Sequence, residues 1–147
     1  TLRNTTVAAN SSISQTANSA RGGGINRDSG TVNLQNSIIA GNSVGGGFGN
    51  QGIDVSGAFA SQGNNLIGDT NGASGFIAND VVNQNALLAP LGFYGGATPT
   101  HALTANSPAV NAGSNSEIQT VTPPARGSFR LVFNGHFADL AFDASPA

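Results

Sequence analysis

Seven acidic residues and two histidines are the side chains of this sequence that could perform acid–base or metal chemistry. The acids are Asp28, Asp54, Asp69, Asp80, Glu117, Asp139 and Asp143. No two of them lie within three residues of each other, whereas a polysaccharide lyase needs clustered carboxylates for calcium and a glycoside hydrolase needs a close carboxylate pair. Asp28 and Asp54 lie near equivalent Gly-Ile segments, but Arg27 and Ser29 beside Asp28 favour a solvated corner. We therefore expect no catalytic residue and no metal site.

The histidines and the remaining polar motifs favour structural roles. His101 ends the run Thr98-Pro-Thr-His101 without a Ser/Asp constellation around it, so a structural, hydrogen-bonded histidine is the favoured interpretation. His136 is expected in an exposed turn. Asp69-Thr-Asn-Gly72 resembles only the start of a calcium loop and lacks its later ligands, which predicts a plain turn. The glycine-rich stretch 45–52 has neither the helix nor the lysine of a phosphate loop, so no cofactor is expected.

The composition excludes several classes of protein. Of 147 residues, 8% are charged, against about 25% in typical soluble domains, and all five cations are arginines. A net charge of −2 without a basic cluster argues against nucleic-acid binding. The absence of cysteine excludes a disulfide scaffold and a cysteine-ligated zinc site. No apolar run approaches the roughly 18 residues that a membrane span needs, and a single glutamate disfavours a helical bundle.

An internal repeat predicts the elements that hold these residues. Thr1-Leu-Arg-Asn-Thr-Thr-Val-Ala-Ala-Asn-Ser11 aligns with Asn33-Leu-Gln-Asn-Ser-Ile-Ile-Ala-Gly-Asn-Ser43 at an offset of 32 residues. A looser match at an offset of 27 aligns residues 29–32 with 56–59 and residues 39–41 with 66–68, and Gly24-Ile25 resembles Gly52-Ile53. Units of this length, with three short strands and Gly or Asn at the corners, indicate a parallel β-solenoid, although an antiparallel sandwich is the rival.

The solenoid makes specific predictions about stacking. Val7, Ile39 and Leu66 are expected to form one interior column, and Asn10 is expected to stack on Asn42. The repeat fades from residue 64, which predicts that the chain leaves the solenoid through the Asn71-Gly72 turn. We therefore expect coils over residues 1–72 and a loop-rich continuation and cap of the same domain over residues 73–147.

Within that second half, two segments have a recognisable pattern. Residues 73–90 predict a turn-rich or weakly helical excursion. Residues 130–133 and 137–142 predict a closing hairpin around Asn134-Gly135. The hairpin would either cap the last coil or pair with a neighbouring subunit, since solenoid ends expose strand edges.

The motifs together resemble a known family. Gly22-Gly-Gly-Ile25 and Gly30-Thr-Val-Asn-Leu34 are followed by Asn64-Asn-Leu-Ile-Gly68, then by the run from Leu88 to Leu103 that contains Pro90-Leu, Gly95-Gly96 and Thr98-Pro-Thr-His101, and then by Ser107-Pro-Ala-Val-Asn-Ala-Gly113. This series is similar to the C-terminal region of bacterial choice-of-anchor Q proteins, which are right-handed parallel β-helix surface proteins of the pectin-lyase-like and polymorphic-outer-membrane-protein-like type. The resemblance departs near the end, where Pro124-Ala-Arg-Gly127 lacks the family's acid before the arginine.

The resemblance and the repeats together give the expected fold and function. We expect an all-β chain, a right-handed parallel β-helix with a loop-rich C-terminal closing region. Its expected role is structural and non-enzymatic, at the bacterial cell surface or outside the cell, with head-to-tail association of coil ends into a homo-oligomer or fibre. The alternatives are a carbohydrate-binding adhesin, for which Phe93 and Tyr94 are the candidate aromatic pair, and a polysaccharide lyase or hydrolase. Since Thr1 opens directly into strand-like sequence, a processed chain, a fragment or part of a longer protein is expected.

Overall fold

The computed structural model describes residues 1–15, 20–46 and 52–114, and the backbone of residues 127–133 and 136–142. It contains fourteen β-strands and no helix among these residues. In chain order the strands are β1 (Leu2–Arg3), β2 (Thr6–Val7), β3 (Ser11–Ile13), β4 (Ile25–Asn26), β5 (Asn33–Gln35), β6 (Ile38–Ile39), β7 (Ser43–Gly45), β8 (Val55–Ala58), β9 (Ala60–Ser61), β10 (Leu66–Ile67), β11 (Ala73–Ser74), β12 (Val81–Val82), β13 (Gly127–Phe133) and β14 (His136–Phe142). The expectation of an all-β chain is therefore confirmed for the described residues.

The first twelve strands form four successive layers that pair in parallel. Layer 1 comprises residues 2–13, layer 2 residues 25–45, layer 3 residues 55–67 and layer 4 residues 73–82. Every strand pair in this part joins one layer to the next, in the orders β1-β5-β9, β2-β6-β10-β12, β4-β8-β11 and β3-β7. None of these sheets closes on itself. The structure thus has the parallel β character that the repeat predicts.

The predicted register is confirmed between layers 1 and 2. Leu2 pairs with Leu34 and Val7 pairs with Ile39, both at the offset of 32 that the sequence alignment gives. Between layers 2 and 3 the offset of 27 holds at β5 and β9, where Asn33 pairs with Ala60. The self-similarity of short strand-and-corner units therefore corresponds to physical stacking of equivalent residues.

The predicted interior column is wrong by one residue in layer 3. Ile39 pairs with Ile67, and Leu66 pairs with Ile38, because the corner that leads from β9 to β10 contains one more residue than the corner from β5 to β6. A shift of one residue moves a strand side chain to the opposite face of its sheet. The column therefore runs through Val7, Ile39, Ile67 and Val82. The match of Gly24-Ile25 to Gly52-Ile53 is also displaced, since Ile25 pairs with Val55.

Parallel pairing continues beyond residue 72, which corrects the expectation that the chain leaves the stack there. Asn71 and Gly72 do form a turn, but Ala73 then pairs with Gly57 and Val81 pairs with Leu66. Residues 73–90 accordingly contain two strands and no helix. The offset between layers falls to 15 residues at Leu66 and Val81, so layer 4 is much shorter than layer 1.

Two apolar clusters lie on opposite faces of the sheet β2-β6-β10-β12. Between the sheets, Leu34, Ile39, Val55, Phe59 and Ile67 are buried. On the other face, Leu66 and Ala40 are buried against Ala86, with Leu88 and Ala109 packed beside them. The second cluster is formed by residues 84–114, which we call the covering segment. Burying both faces of a parallel sheet explains why β6 and β10 are continuous apolar pairs rather than alternating ones.

Contacts between Cα atoms divide the chain into two compact units, Thr1–Asn115 and Ser116–Ala147. In the second unit, β13 and β14 pair antiparallel, with Gly127 opposite Phe142 and Phe133 opposite His136. The predicted closing hairpin is thus confirmed, and His136 begins a strand rather than lying in a turn. The turn Asn134-Gly135 lies outside the described residues, as does most of the glycine-rich stretch 45–52.

Candidate functional site

A pocket of about 290 Å³ lies where the covering segment meets layers 1 and 2. Its floor is made of small residues, including Ala8, Ala40 and Gly41, and Leu88 and His101 are among its walls. His101 is half-buried, and its Nδ1 atom lies 2.8 Å from the carbonyl oxygen of Ala89. Because a carbonyl can only accept, Nδ1 carries the hydrogen of this bond, and in the neutral ring the lone pair is on Nε2.

This pocket has the means to bind a small molecule but not to catalyse a reaction by any of the mechanisms considered above. Its ten lining residues include no acid, serine, threonine or cysteine, so His101 has neither a nucleophile to activate nor a carboxylate to orient it. The hydrogen bond to Ala89 instead links the two arms of a short hairpin, whose backbones also bridge at Gly92 and Thr100. His101 is therefore a hydrogen-bonded structural residue, as the sequence favoured.

The acidic residues that the structure describes lie apart from one another. Asp28 is exposed and accepts a hydrogen bond from Asn26 Nδ2. Asp69 Oδ1 accepts from the amide of Asn71, which makes the predicted plain turn. The described residues hold no group of three or more His, Cys, Asp or Glu side chains suited to a metal ion. Glu117 and Asp143 lie outside the described residues, and for Asp139 only the backbone pairing with Arg130 is described.

Asp80 is the end point of a ladder of side chains that crosses all four layers. The backbone amide of Thr5 donates to Ser37 Oγ, that of Ser37 donates to Asn65 Oδ1, and that of Asn65 donates to Asp80 Oδ1. We call this series ladder A. Asn65 is 1% exposed, and its Nδ2 donates to Asp80 Oδ1, Leu34 O and Ser61 Oγ. An asparagine can accept and donate at once, so it passes the ladder from one layer to the next.

Asp54 is the end point of a second series, ladder B. The amide of Asn10 and its Nδ2 both donate to Asn42 Oδ1, at 3.0 and 3.1 Å, which confirms the predicted stacking of these two residues. The amide of Asn42 and its Nδ2 both donate to Asp54 Oδ1, at 2.8 and 2.9 Å. Asp54 is buried, not on a solvated corner. An ionised carboxylate only accepts, so an aspartate ends a ladder that asparagine would continue.

The sequence carried a signal for ladder A that the motif search missed. The pairs Asn4-Thr5, Asn36-Ser37, Asn64-Asn65 and Asn79-Asp80 recur at the same corner of successive layers. The first residue of the first three pairs has a positive φ, between 48° and 60°, and turns the chain. The second residue of each pair supplies a ladder atom. An asparagine followed by a hydrogen-bonding side chain is the recurring unit.

The corner asparagines also hold the covering segment. Asn36 Nδ2 donates to Ser114 Oγ at 2.9 Å, while the amide of Ser114 donates back to Asn36 Oδ1 at 3.0 Å. One layer on, Asn64 Nδ2 donates to the carbonyl oxygen of Ala112 at 2.9 Å. The family-like run Ser107-Pro-Ala-Val-Asn-Ala-Gly113 therefore has a structural role: Ala112 accepts from the layers, and Ser107 Oγ donates to Ala86 O within the segment.

The tip of the short hairpin presents large apolar side chains to solvent. Leu91 is 63% exposed, Phe93 72% and Tyr94 49%. Tyr94 Oη donates to the carbonyl oxygen of Pro90 at 2.7 Å, which holds the ring against its own loop. No charged residue other than His101 occurs between Asp80 and Glu117, so the tip lies in a neutral stretch of sequence.

Searches against protein-family models, curated proteins and solved structures find no match to this chain. Among the described residues there is no helix with the length and apolar character needed to cross a membrane.

Proposed function

We propose that the chain is a structural protein of the right-handed parallel β-helix type, located at the bacterial cell surface or outside the cell, which associates with further copies through its coil ends. The four layers are the successive coils in this proposal. It assigns no catalytic step and no cofactor to the chain. The resemblance to choice-of-anchor Q proteins points to the same fold and the same location.

The observation that carries the structural role is the pair of side-chain ladders. Ladders A and B place buried amides, hydroxyls and carboxylates in register, and no buried side-chain nitrogen or oxygen of the described residues is without a partner. Fully satisfied polar networks rigidify a core and tie neighbouring strands to one register. Such a stack is suited to bearing load along its axis, while its scattered carboxylates are poorly suited to acid–base chemistry.

The composition is consistent with the same role. Neutral side chains can repeat along a stack, whereas identical charges would face each other at about 4.8 Å from layer to layer. The chain has 18 asparagines and 21 glycines against twelve charged residues in all. The lack of cysteine is compatible with an exported bacterial protein.

Assembly is the property to measure. The purified chain should form elongated particles by electron microscopy, and its weight-average mass by light scattering should rise with concentration. A matched mixture at high ionic strength should still assemble, because the edges contribute mainly backbone hydrogen bonds and apolar contacts. A monodisperse monomer at every concentration would contradict the association of coil ends.

One observation favours a second candidate, carbohydrate binding. Phe93 and Tyr94 are adjacent, exposed and free of nearby charge, as a surface for the apolar faces of neutral sugars requires. Retention of the protein on insoluble cellulose or chitin would test this, with Phe93→Ser and Tyr94→Ser expected to abolish it. Val110→Ser, which removes an exposed apolar residue elsewhere on the covering segment, should bind like the wild type. Equal retention of all three variants would contradict a role for the aromatic pair.

A further inference from the structure

We infer that a second copy of this chain docks with its strand β2 on strand β12, so that layer 1 of one copy continues the stack of layer 4 of the other. This inference rests on the proposed function, since it assigns the contact by which the copies associate. Both edges belong to the longest sheet of the molecule, β12-β10-β6-β2, whose two outer strands are β2 and β12.

The hydrogen bonds between layers define what the edge of layer 1 offers. The amides of Ile38 and Ala40 donate to the carbonyl oxygens of Thr5 and Val7, at 2.9 and 3.2 Å. The residues of layer 1 in register with these donors are Thr6 and Ala8. Their amides are therefore directed away from layer 2, toward the outer edge of β2.

The same pattern defines what the edge of layer 4 offers. Leu66 and Gly68 donate to the carbonyls of Ser37 and Ile39, and Val81 and Asn83 donate to those of Asn65 and Ile67. The acceptors thus repeat at equivalent positions of layers 1, 2 and 3. In layer 4 these positions are Asp80 and Val82, whose carbonyls are directed away from layer 3. Docking would direct the Thr6 and Ala8 amides of one copy at those two carbonyls of the other.

The apolar core is open at the same two edges. Ile39 and Ile67, in the middle of the interior column, have no exposed surface, whereas Val7 and Val82 at its ends are only partly buried. Seating β2 on β12 would place Val7 of one copy on Val82 of the other and extend the column across the contact. Burial of apolar surface at both ends is the driving force that backbone hydrogen bonds alone lack.

The charges of the two edges are complementary. Arg3 is the one charged side chain of residues 1–15, and Asp69 and Asp80 are the two charged side chains of residues 68–83. In the inferred register Thr5 lies over Asp80, which puts Arg3 two residues from the position opposite a carboxylate. Layer 4 is shorter than layer 1 and has no strand to continue β3, so the contact is confined to the β1 and β2 side. Two identical edges of layer 1 would instead bring arginine against arginine.

Cross-linking in a chain without cysteine tests the register directly. Thr6 is in register with Ile38, Leu66 and Val81, and all of them belong to the same face of the sheet. In the variant with both Thr6→Cys and Val81→Cys, mild oxidation should give a series of covalent oligomers on a denaturing gel. The control variant with Thr6→Cys and Thr98→Cys should stay mostly monomeric, because Thr98 is an equally exposed threonine far from β12 in the chain.

An edge variant gives the second readout. Thr6→Pro removes an amide that does not bond to layer 2, so it should leave the fold intact and weaken association at least tenfold by light scattering. Thr98→Pro should associate like the wild type. Association of the wild type with no specific cross-linking and no effect of Thr6→Pro would overturn the β2–β12 contact while leaving the structural role in place. A wild-type chain that never associates would overturn both.

Discussion

The stacked layers and the covering segment solve the same problem, satisfying backbone and side-chain polar groups, in different ways. In the layers, each strand bonds to an equivalent strand one layer away, and ladders A and B repeat the same contacts through Asn65 and Asn42. In the covering segment, most bonds are local, such as Ser107 to Thr104 and Val110 to Ser107. It is attached to the layers through single residues rather than through continuous strands.

Burial separates the two regions in the same way. The largest fully buried side chains, among them Leu34, Ile39 and Asn65, all belong to layers 2 and 3, while Leu91, Phe93 and Tyr94 of the covering segment face solvent. The difference indicates that stability resides in the middle layers, and that the covering segment adds a second face to one sheet. Regions with few buried contacts open locally at lower free energy than the core.

The largest expected effect is in the interior column. Ile39→Ala removes a fully buried side chain between Val7 and Ile67, and it should lower the free energy of unfolding by about 4 kcal/mol. Leu91→Ala, in the exposed tip, should change it by less than about 0.5 kcal/mol. Urea unfolding followed by circular dichroism measures both. Similar losses in the two variants would show that the covering segment is part of the same cooperative core.

The next effect concerns ladder A. Asn65→Ala leaves the amide of Ser37 and the carbonyl of Leu34 without their partner in a buried site, which should cost about 3 kcal/mol. Asn26→Ala, which removes one exposed bond to Asp28, is the matched control and should cost less than about 0.5 kcal/mol. If Asn65→Ala unfolds at the same urea concentration as the control, the ladder does not stabilise the stack.

The layers could be predicted from sequence to a large extent, and the covering segment could not. Leu2 on Leu34 and Asn10 on Asn42 follow from alignment, because stacking requires equivalent residues to recur in register. The slip at Leu66 was missed, since one extra residue in a corner leaves the composition unchanged and reverses the faces of the strand. The partners of Ala86 and Ser107 lie far away in the chain or in loops without a repeat, so no periodicity reports them.

The candidate site was predicted less completely than the fold. The structural role of His101 could be inferred from the lack of partners around it in the sequence. The roles of Asp54 and Asp80 could not, because their sequence neighbours give no sign that each accepts two hydrogen bonds from a single asparagine in the previous layer. Only the recurrence of Asn-X pairs at the corners reports Asp80, and Asp54 has no such pair.

A smaller effect tests how firmly the covering segment is held. Ser107 is buried, and its Oγ donates to the carbonyl of Ala86 at 2.6 Å. Ser107→Ala should cost about 1.5 kcal/mol by leaving that carbonyl unpaired. Hydrogen exchange should show faster exchange in residues 84–114 and unchanged protection in β6 and β10. Equal loss of protection in β6 would mean that the segment and the layers unfold as one unit.

The smallest effect compares one corner in two layers. Ala9 and Gly41 occupy the same corner, at an offset of 32, and both have positive φ, of 58° and 71°. A Cβ on Gly41 would meet no atom within 4 Å, so Gly41→Ala tests the backbone alone and should cost about 1 kcal/mol. Ala9→Gly should gain a smaller amount, because the relief of left-handed strain is partly offset by the greater entropy of glycine in the unfolded chain. Thermal unfolding of the two variants should therefore shift in opposite directions. A downward shift in both would show that the corner of layer 1 relaxes without glycine and that the strain at Ala9 is negligible.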